Sequence, residues 1–560
     1  MKTIAALLAF FLMGESSGVA FAEVNWQEGA VVSPEARANP YGHSPEENKA
    51  LNSAGRLHAQ IYPVGVTGML PPFEPLRRML ETDDGNPLKT IFRKMFGGIS
   101  GFREVNDILA WVGLHEYPAL SDTGIYAVPY PDGKRPKLRM GFGLIDHPSG
   151  QGFTLSCATC HSGNLFGKTV LGLNNRFPRA NEVFGYAKKT FPLISPWFFQ
   201  LNSKASDGER DLFSSTRRNL RRVATKMPVA LGLDTSLAQV ALSLAHRNLD
   251  AYATRSQELE RRPRPEPLRT EIADSKPAVW WNLKYKNRWL ADGSVVAGNP
   301  IFTNILWNEI GRGADLAVLE TWLRDNGKVI EELTTAAFSS EAPRYTDFFP
   351  AEEFPLAEAK AGQHIYEATC ARCHGTYTKA WDEPGAENLS AAERLATLKV
   401  IYRAQTPVID VGTDPGRWRG MKSLEQLNDL AISRNNGILI KAQKGYVPPP
   451  LVGIWARWPY LHNNSVPSLC ALLERSSARP RVFFTGAALD QAKDFDAECN
   501  GYPLGSRTPA AWKNRGEHRI DTGRVGLSNA GHDEGIFLKQ GADVLSPADK
   551  RALIRFLQTL

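Results

Sequence analysis

The amino-acid sequence predicts a mainly α-helical chain with extensive loops, folded as two domains. Three observations predict it. The 560 residues exceed what one ordinary core holds, since domains usually run to about 100 to 200 residues. The composition, 42% hydrophobic and 22% charged, is that of a globular protein, while 47 Gly and 37 Pro demand many turns and long irregular connections. The clearest periodic segments repeat their apolar residues at i, i+3 and i+4, the spacing of one helix face.

In chain order, residues 1–22 read as a signal peptide. Lys2 gives a short positive start, Ile4 to Met13 an apolar run, and Ala20-Phe21-Ala22 a small-x-small cleavage signature. The mature chain is expected to begin at Glu23, in the periplasm or outside the cell. The apolar run is far shorter than the roughly 20 residues a membrane span requires. Glu15 closes it, so no membrane span is expected after cleavage. The net charge of +7 is mild for this length; it suits an acidic redox partner and is too diffuse for nucleic acid.

The two domains are expected at 23–345 and 346–560. Between them, Ser339 to Pro355 interrupts the helical pattern with Pro, acidic residues and aromatics. Asp207 to Arg255 reads as a long helical region, Arg261 to Pro277 as a Pro-rich charged loop, and Asp315 to Ala337 as a further helical pattern. Arg217, Arg218, Arg221, Arg222 and Lys226 make a basic stripe at helical spacing, read as a solvated face and assigned no site.

The six cysteines carry the strongest signal. Four lie in two C-x-x-C-H strings, Cys157-Ala158-Thr159-Cys160-His161 and Cys370-Ala371-Arg372-Cys373-His374. Two thiols at this spacing reach the two vinyl groups of one porphyrin, and the adjacent His meets the iron from one face. The strings therefore predict two covalently bound heme c groups, with His161 and His374 as iron ligands. A thioredoxin-like pair or half a zinc site also uses C-x-x-C, but neither calls for a His at the next position twice. Cys470 and Cys499 remain. In an oxidising compartment they are expected to form a disulfide worth roughly 3 to 4 kcal/mol, the alternative being two free thiols.

The surroundings of the second string suggest a helical heme domain. Ala357 to Thr369 reads as a helix with Gly362, Ile365 and Tyr366 on one face, and Ser546 as the N-cap of a last helix carrying Leu553, Phe556 and Leu557. Gly362 would let the two backbones approach closely. This resembles the crossing of first and last helices in a cytochrome c domain, here with a large insertion. The first string instead follows a turn and a short extended segment, Gly150 to Ser156, which predicts a modified heme-binding core.

The second axial ligand decides whether a heme iron transfers electrons or binds a small molecule. No Met follows Met421, so a His is expected at the C-terminal heme: His532, in a turn-rich segment before the last helix, ahead of His518 and His462. For the N-terminal heme, His58, His115, His147, His246, Met69 and Met140 are all open, and no spacing selects among them.

A resemblance joins these features. Gly445-Tyr446, Pro450-Leu451-Val452-Gly453-Ile454-Trp455-Ala456 and Pro459-Tyr460-Leu461-His462-Asn463-Asn464-Ser465-Val466-Pro467-Ser468-Leu469 resemble the diheme rubber oxygenases and their relatives. Arg479 to Gly486 and Ser528 to Leu560 are also similar. Ser156 to His161 and Tyr460 to Asn464 echo the bacterial diheme cytochrome c peroxidases of the same superfamily. The resemblance implies two cytochrome c-like heme domains, with dioxygen bound at the heme of His161 and bis-His ligation by His374 and His532 at the other. It also implies an indole between the hemes, at Trp280 or Trp281, and Phe302 beside the distal pocket, although the sequence departs from the family pattern after Asn287.

The function expected is that of an exported diheme c-type oxidoreductase that activates dioxygen or peroxide at the N-terminal heme, at the expense of a reductant or an apolar organic substrate. A diheme peroxidase and a pure electron carrier are the alternatives. The cysteine assignment itself is checked by thiol titration: the denatured, unreduced protein should titrate no free thiol, and two would show Cys470 and Cys499 unpaired.

Overall fold

The computed structural model describes residues 24–31, 33–81, 102 and 104–560; the expected signal peptide at 1–22 lies outside the described residues. Helices dominate, separated by long connections, and every sheet among the described residues is a two-stranded antiparallel ribbon.

Local chemistry sets the main helices. α1 (Pro45–Ile61) starts where the Ser44 hydroxyl accepts from the Glu47 N–H at 3.2 Å, with proline in its first turn. The ribbon β1 (Phe142–His147) with β2 (Gly150–Leu155) follows, then α2 (Asp207–Leu220) and α3 (Ser236–Leu244). α4 (Pro300–Arg312) is capped by Asn299 and ends at Gly313, whose φ of +81° is a left-handed stop. α5 (Leu316–Asp325) and α6 (Gly327–Phe338) are separated at Asn326, so the pattern from Asp315 to Ala337 is two helices. α7 (Leu356–Thr369) leads into the second string, and α8 (Pro547–Gln558) closes the chain. At α8, Ser546 and Asp549 exchange hydrogen bonds with each other's backbone N–H, a capping box.

Two differences from the sequence reading have local causes. The region from Asp207 to Arg255 is not one helix: Pro228 and Gly232 fall between α2 and α3, and Gly232 has φ +91° with its α-carbon against the Arg176 carbonyl. Nor is the basic stripe one solvated face. Arg217 bonds the Pro192 carbonyl at 2.7 Å, Arg222 is only 8% exposed, and Lys226 reaches the Glu271 carbonyl beyond the helix end.

Three apolar cores form. One gathers α3, α4, α5 and α6 with Met421, Leu424, Leu427 and Ile432 from far along the chain. A second packs Tyr366, Trp455, Trp458 and Phe556 with Leu165, Val170 and Trp281 from the first half. The third, around Phe73, Phe142, Phe184 and Phe213, belongs to the first half alone. Two of these three cores thus draw residues from both sides of the 345/346 division.

α7 and α8 cross at Gly362, where an added Cβ would sit 1.9 Å from the Ala552 carbonyl oxygen. Gly362→Ala should therefore destabilise by about 1 to 3 kcal/mol, outweighing alanine's better helix propensity of about 1 kcal/mol. Gly327→Ala, with open space around its α-carbon, is the control. Thermal unfolding midpoints of the two variants check this: the first should fall and the second hold.

Candidate heme centres

The first string is presented by the β1–β2 ribbon. The Ser156 N–H and the Thr159 hydroxyl both bond the Gly141 carbonyl, at 2.9 and 3.0 Å, which anchors the turn Cys157–Thr159. The thiols of Cys157 and Cys160 are free, and burial pushes Cys157 up to about 11 and Cys160 further. His161 places Nδ1 2.8 Å from the Ala278 carbonyl. A carbonyl only accepts, so Nδ1 carries the proton and Nε2 keeps the lone pair a metal takes. Burial lowers the pKa of His161, which favours that neutral form.

The second string repeats this logic on a different scaffold. α7 ends at Thr369, the turn Ala371–His374 follows, and His374 Nδ1 lies 2.7 Å from the Pro449 carbonyl. Pro448, Pro449 and Pro450 have no N–H to offer and no secondary structure, so their carbonyls are free to accept from side chains. Each does so: Tyr402 bonds Pro448 at 2.6 Å, His374 bonds Pro449, and Asn282 and Arg457 bond Pro450 at 2.9 and 3.2 Å.

Asn282 joins the two sites. It lies four residues after Ala278, the acceptor for His161, and it grips the proline beside the acceptor for His374. Trp281 adds a second tie through Nε1 to the Val452 carbonyl at 2.9 Å. The two indoles named from sequence are thereby distinguished. Trp280 lies with its ring 5.8 Å from that of His161, whereas Trp281 is wholly buried in the second core.

Of the three histidines considered opposite His374, two are engaged elsewhere. His518 Nδ1 bonds the Thr485 carbonyl at 2.9 Å, and His462 stacks on Tyr446 with Nε2 3.0 Å from its hydroxyl. His532 lies within electrostatic reach of His374, its Nδ1 is buried without a protein partner, and burial lowers its pKa to about 3. Its backbone has φ +65°, and Arg479 holds the loop that carries it through the carbonyls of Leu472, Glu474, Asn529 and Gly531.

At the first string His58 is paired with Glu332 at 2.9 Å, and His147 accepts from the Ser149 N–H at 3.1 Å. Met69 and Met140 are core residues, and His246 packs against the backbone of Leu259 and Glu260. His115 lies against the Ser162 backbone, and burial beside Arg176 and Arg139 lowers its pKa to about 4. Phe302 and Trp280 share the first core, and Cys157 packs against that core.

Sequence reasoning missed the carbonyl acceptors, Asn282, Arg479 and a buried group beside Cys157. In that group Glu309 accepts from Tyr62, Thr67, the Gly68 N–H and Arg312, at 2.5 to 3.0 Å. The proline triplet was the one legible hint, since it must leave three carbonyls unused by the backbone.

Comparison with known proteins agrees with this chemistry. Residues 445–484, which carry the Pro449 acceptor, Arg457 and Arg479, match the family described as RoxA-like, cytochrome c-like. The chain is similar to the uncharacterized protein y4iJ of Sinorhizobium fredii, 24% identical over 72% of this chain and 76% of that one. It is also similar to the uncharacterized protein y4iM of the same organism, 54% identical over 46% of this chain and 55% of that one. A solved MauG-like protein associated with microbial copper homeostasis is 14% identical, covering 58% of this chain and 89% of its own, with a TM-score of 0.24. The family match lies within residues 445–484, and covalently bound heme c is the cofactor that a cytochrome c-like segment implies. Among the described residues no helix is long and apolar enough to cross a membrane.

Arg479→Leu should cost about 3 kcal/mol, because four carbonyls around the His532 loop lose one charged donor. Denaturation midpoints, with faster proteolysis between 529 and 533, check this; an unchanged midpoint would show that the loop holds without it.

Proposed function

We propose that the chain is an exported diheme c-type cytochrome oxidoreductase. Cys157, Cys160 and His161 hold one heme c and Cys370, Cys373 and His374 the other. The fit is chemical: free thiols at attachment spacing, and in both strings an imidazole whose Nδ1 proton is given to a carbonyl, leaving Nε2 for iron. The observation that carries the division of labour is the asymmetry around these imidazoles. His532 stands in electrostatic reach of His374, whereas the charged group acting on His161 is Asp234. The heme of His374 is then the saturated electron relay, and that of His161 the place where dioxygen or peroxide is taken up.

Heme supplies the redox chemistry and the binding of a small oxidant. The chain's own residues do the rest. Ala278 and Pro449 orient the two imidazoles and hold their protons. Trp280, its ring 5.8 Å from that of His161, gives the first site an apolar boundary, and Phe302 lies in the same core. Trp280, against His161, is the indole placed to relay electrons toward the segment that holds His374. An apolar organic substrate, cleaved as in a rubber oxygenase, suits that boundary; a peroxidase fed by a redox protein is the second version, and a pure carrier the third.

Pyridine hemochrome analysis should give two hemes c per chain. The reduced protein should bind about one carbon monoxide per chain, rising to about two in His532→Ala, because only the first heme has an open position in the native protein. Binding at neither heme in the native protein would favour the pure carrier. Oxygen uptake with carbonyl-ended products from polyisoprene would support the oxygenase version, and turnover only with peroxide and an electron donor the peroxidase version.

A further inference from the structure

Three long cations converge between the two strings with no acid to match them. Lys286 is 8% exposed, and its ammonium makes no hydrogen bond or ion pair among the described residues. Lys276 spends its ammonium on the carbonyls of Arg457 at 3.2 Å and Pro459 at 2.6 Å. Arg457 gives one bond, to the Pro450 carbonyl at 3.2 Å. Arg457 acts electrostatically on both lysines and on His374. Lys276 lies two residues from Ala278, the acceptor for His161.

The acid within reach, Asp292, is already taken: it is buried and paired with Arg417 at 3.0 Å. The other buried cation nearby, Arg176, is satisfied by three carbonyls and the Trp458 ring. Lys286 is buried and Lys276 and Arg457 are half-buried, and together they form a local surplus of positive charge. Such a surplus is costly unless an anion arrives to share it. A lysine can shed its proton, and burial with the neighbouring guanidinium does lower Lys286 to about 8; an arginine cannot, so Arg457 keeps its charge beside it.

We propose that Arg457 and Lys286, backed by Lys276, form a carboxylate cradle that takes the propionates of the C-terminal heme at the boundary with the first heme site. This rests on the diheme reading above. Each heme c carries two carboxylates, and Arg457 is placed beside the imidazole that faces that iron. The bidentate guanidinium fork and the unpartnered ammonium are suited to carboxylate oxygens. Neutralising propionates in a buried site also sets how readily the adjacent iron is reduced, because the cations favour the ferrous form.

The test uses the holoprotein with Arg457→Leu, Lys286→Met and the double substitution, and Arg457→Lys and Lys286→Arg as charge-keeping controls. Heme content is counted first by pyridine hemochrome; fewer than two hemes in the native protein would sink the diheme reading itself. Given two hemes, resonance Raman should show the propionate bending bands shifted, and the midpoint potential of the His532-ligated heme should fall in the double variant, with the controls near native. Bands and potentials unchanged in the double variant would overturn the cradle. So would unchanged bands together with a native heme spectrum that responds to added acetate, which would assign the cations to a free carboxylate. Should Arg457→Leu fail to fold, Lys286→Met carries the same readouts, since its ammonium has no protein partner to lose.

Discussion

The arrangement of both centres depends on two backbone carbonyls, those of Ala278 and Pro449, that accept the Nδ1 protons of His161 and His374. An imidazole free to rotate or to swap its proton between nitrogens would present a ligand only part of the time. A fixed acceptor on one nitrogen settles tautomer and ring orientation together. The proline triplet at 448–450 is a physical solution to supplying such acceptors: with no N–H and a fixed φ, it cannot spend its carbonyls within its own segment. Tyr402, His374 and Asn282 use all three.

Because one acceptor lies in the first half of the chain and the other in the second, the tie between them also fixes the two halves. Asn282 and Trp281 bind the segment after Ala278 to the segment after Pro449. Once these are joined, apolar residues from each half fill the other's core, as Met421 to Ile440 and Trp281 do. The tie between the two acceptor segments and the interleaving of the cores are the same fact seen at two scales.

The parts of the fold legible in the sequence are those governed by local rules. The attachment strings follow from thiol spacing. The Ser546 cap and the close helix approach at Gly362 follow from side-chain size and backbone donors, and the structure has the crossing where Gly362 allows it. The helical region from Asp207 to Arg255 holds two helices, and Pro228 and Gly232 mark the break between them. The interleaved cores were hidden because an apolar residue does not announce which distant segment it meets. The cation surplus was hidden for a related reason. Lys276, Lys286 and Arg457 look like unrelated surface residues in a mildly basic sequence, and only their gathering around a buried Lys286 gives them meaning.

The buried acid beside Cys157 sharpens what the first centre is equipped to do. Glu309 is fully enclosed, and its two oxygens already accept from Tyr62, Thr67, Gly68 and Arg312. Arg312 in turn donates to the Leu155 carbonyl at 2.7 Å, just ahead of the first string, and lies 3.9 Å over the Tyr62 ring. A carboxylate with its acceptor sites filled and its counter-ion in contact has no free oxygen to offer a substrate. It is therefore a brace for the string rather than a general base. Phe302 and Trp280 belong to the apolar core against which Cys157 packs.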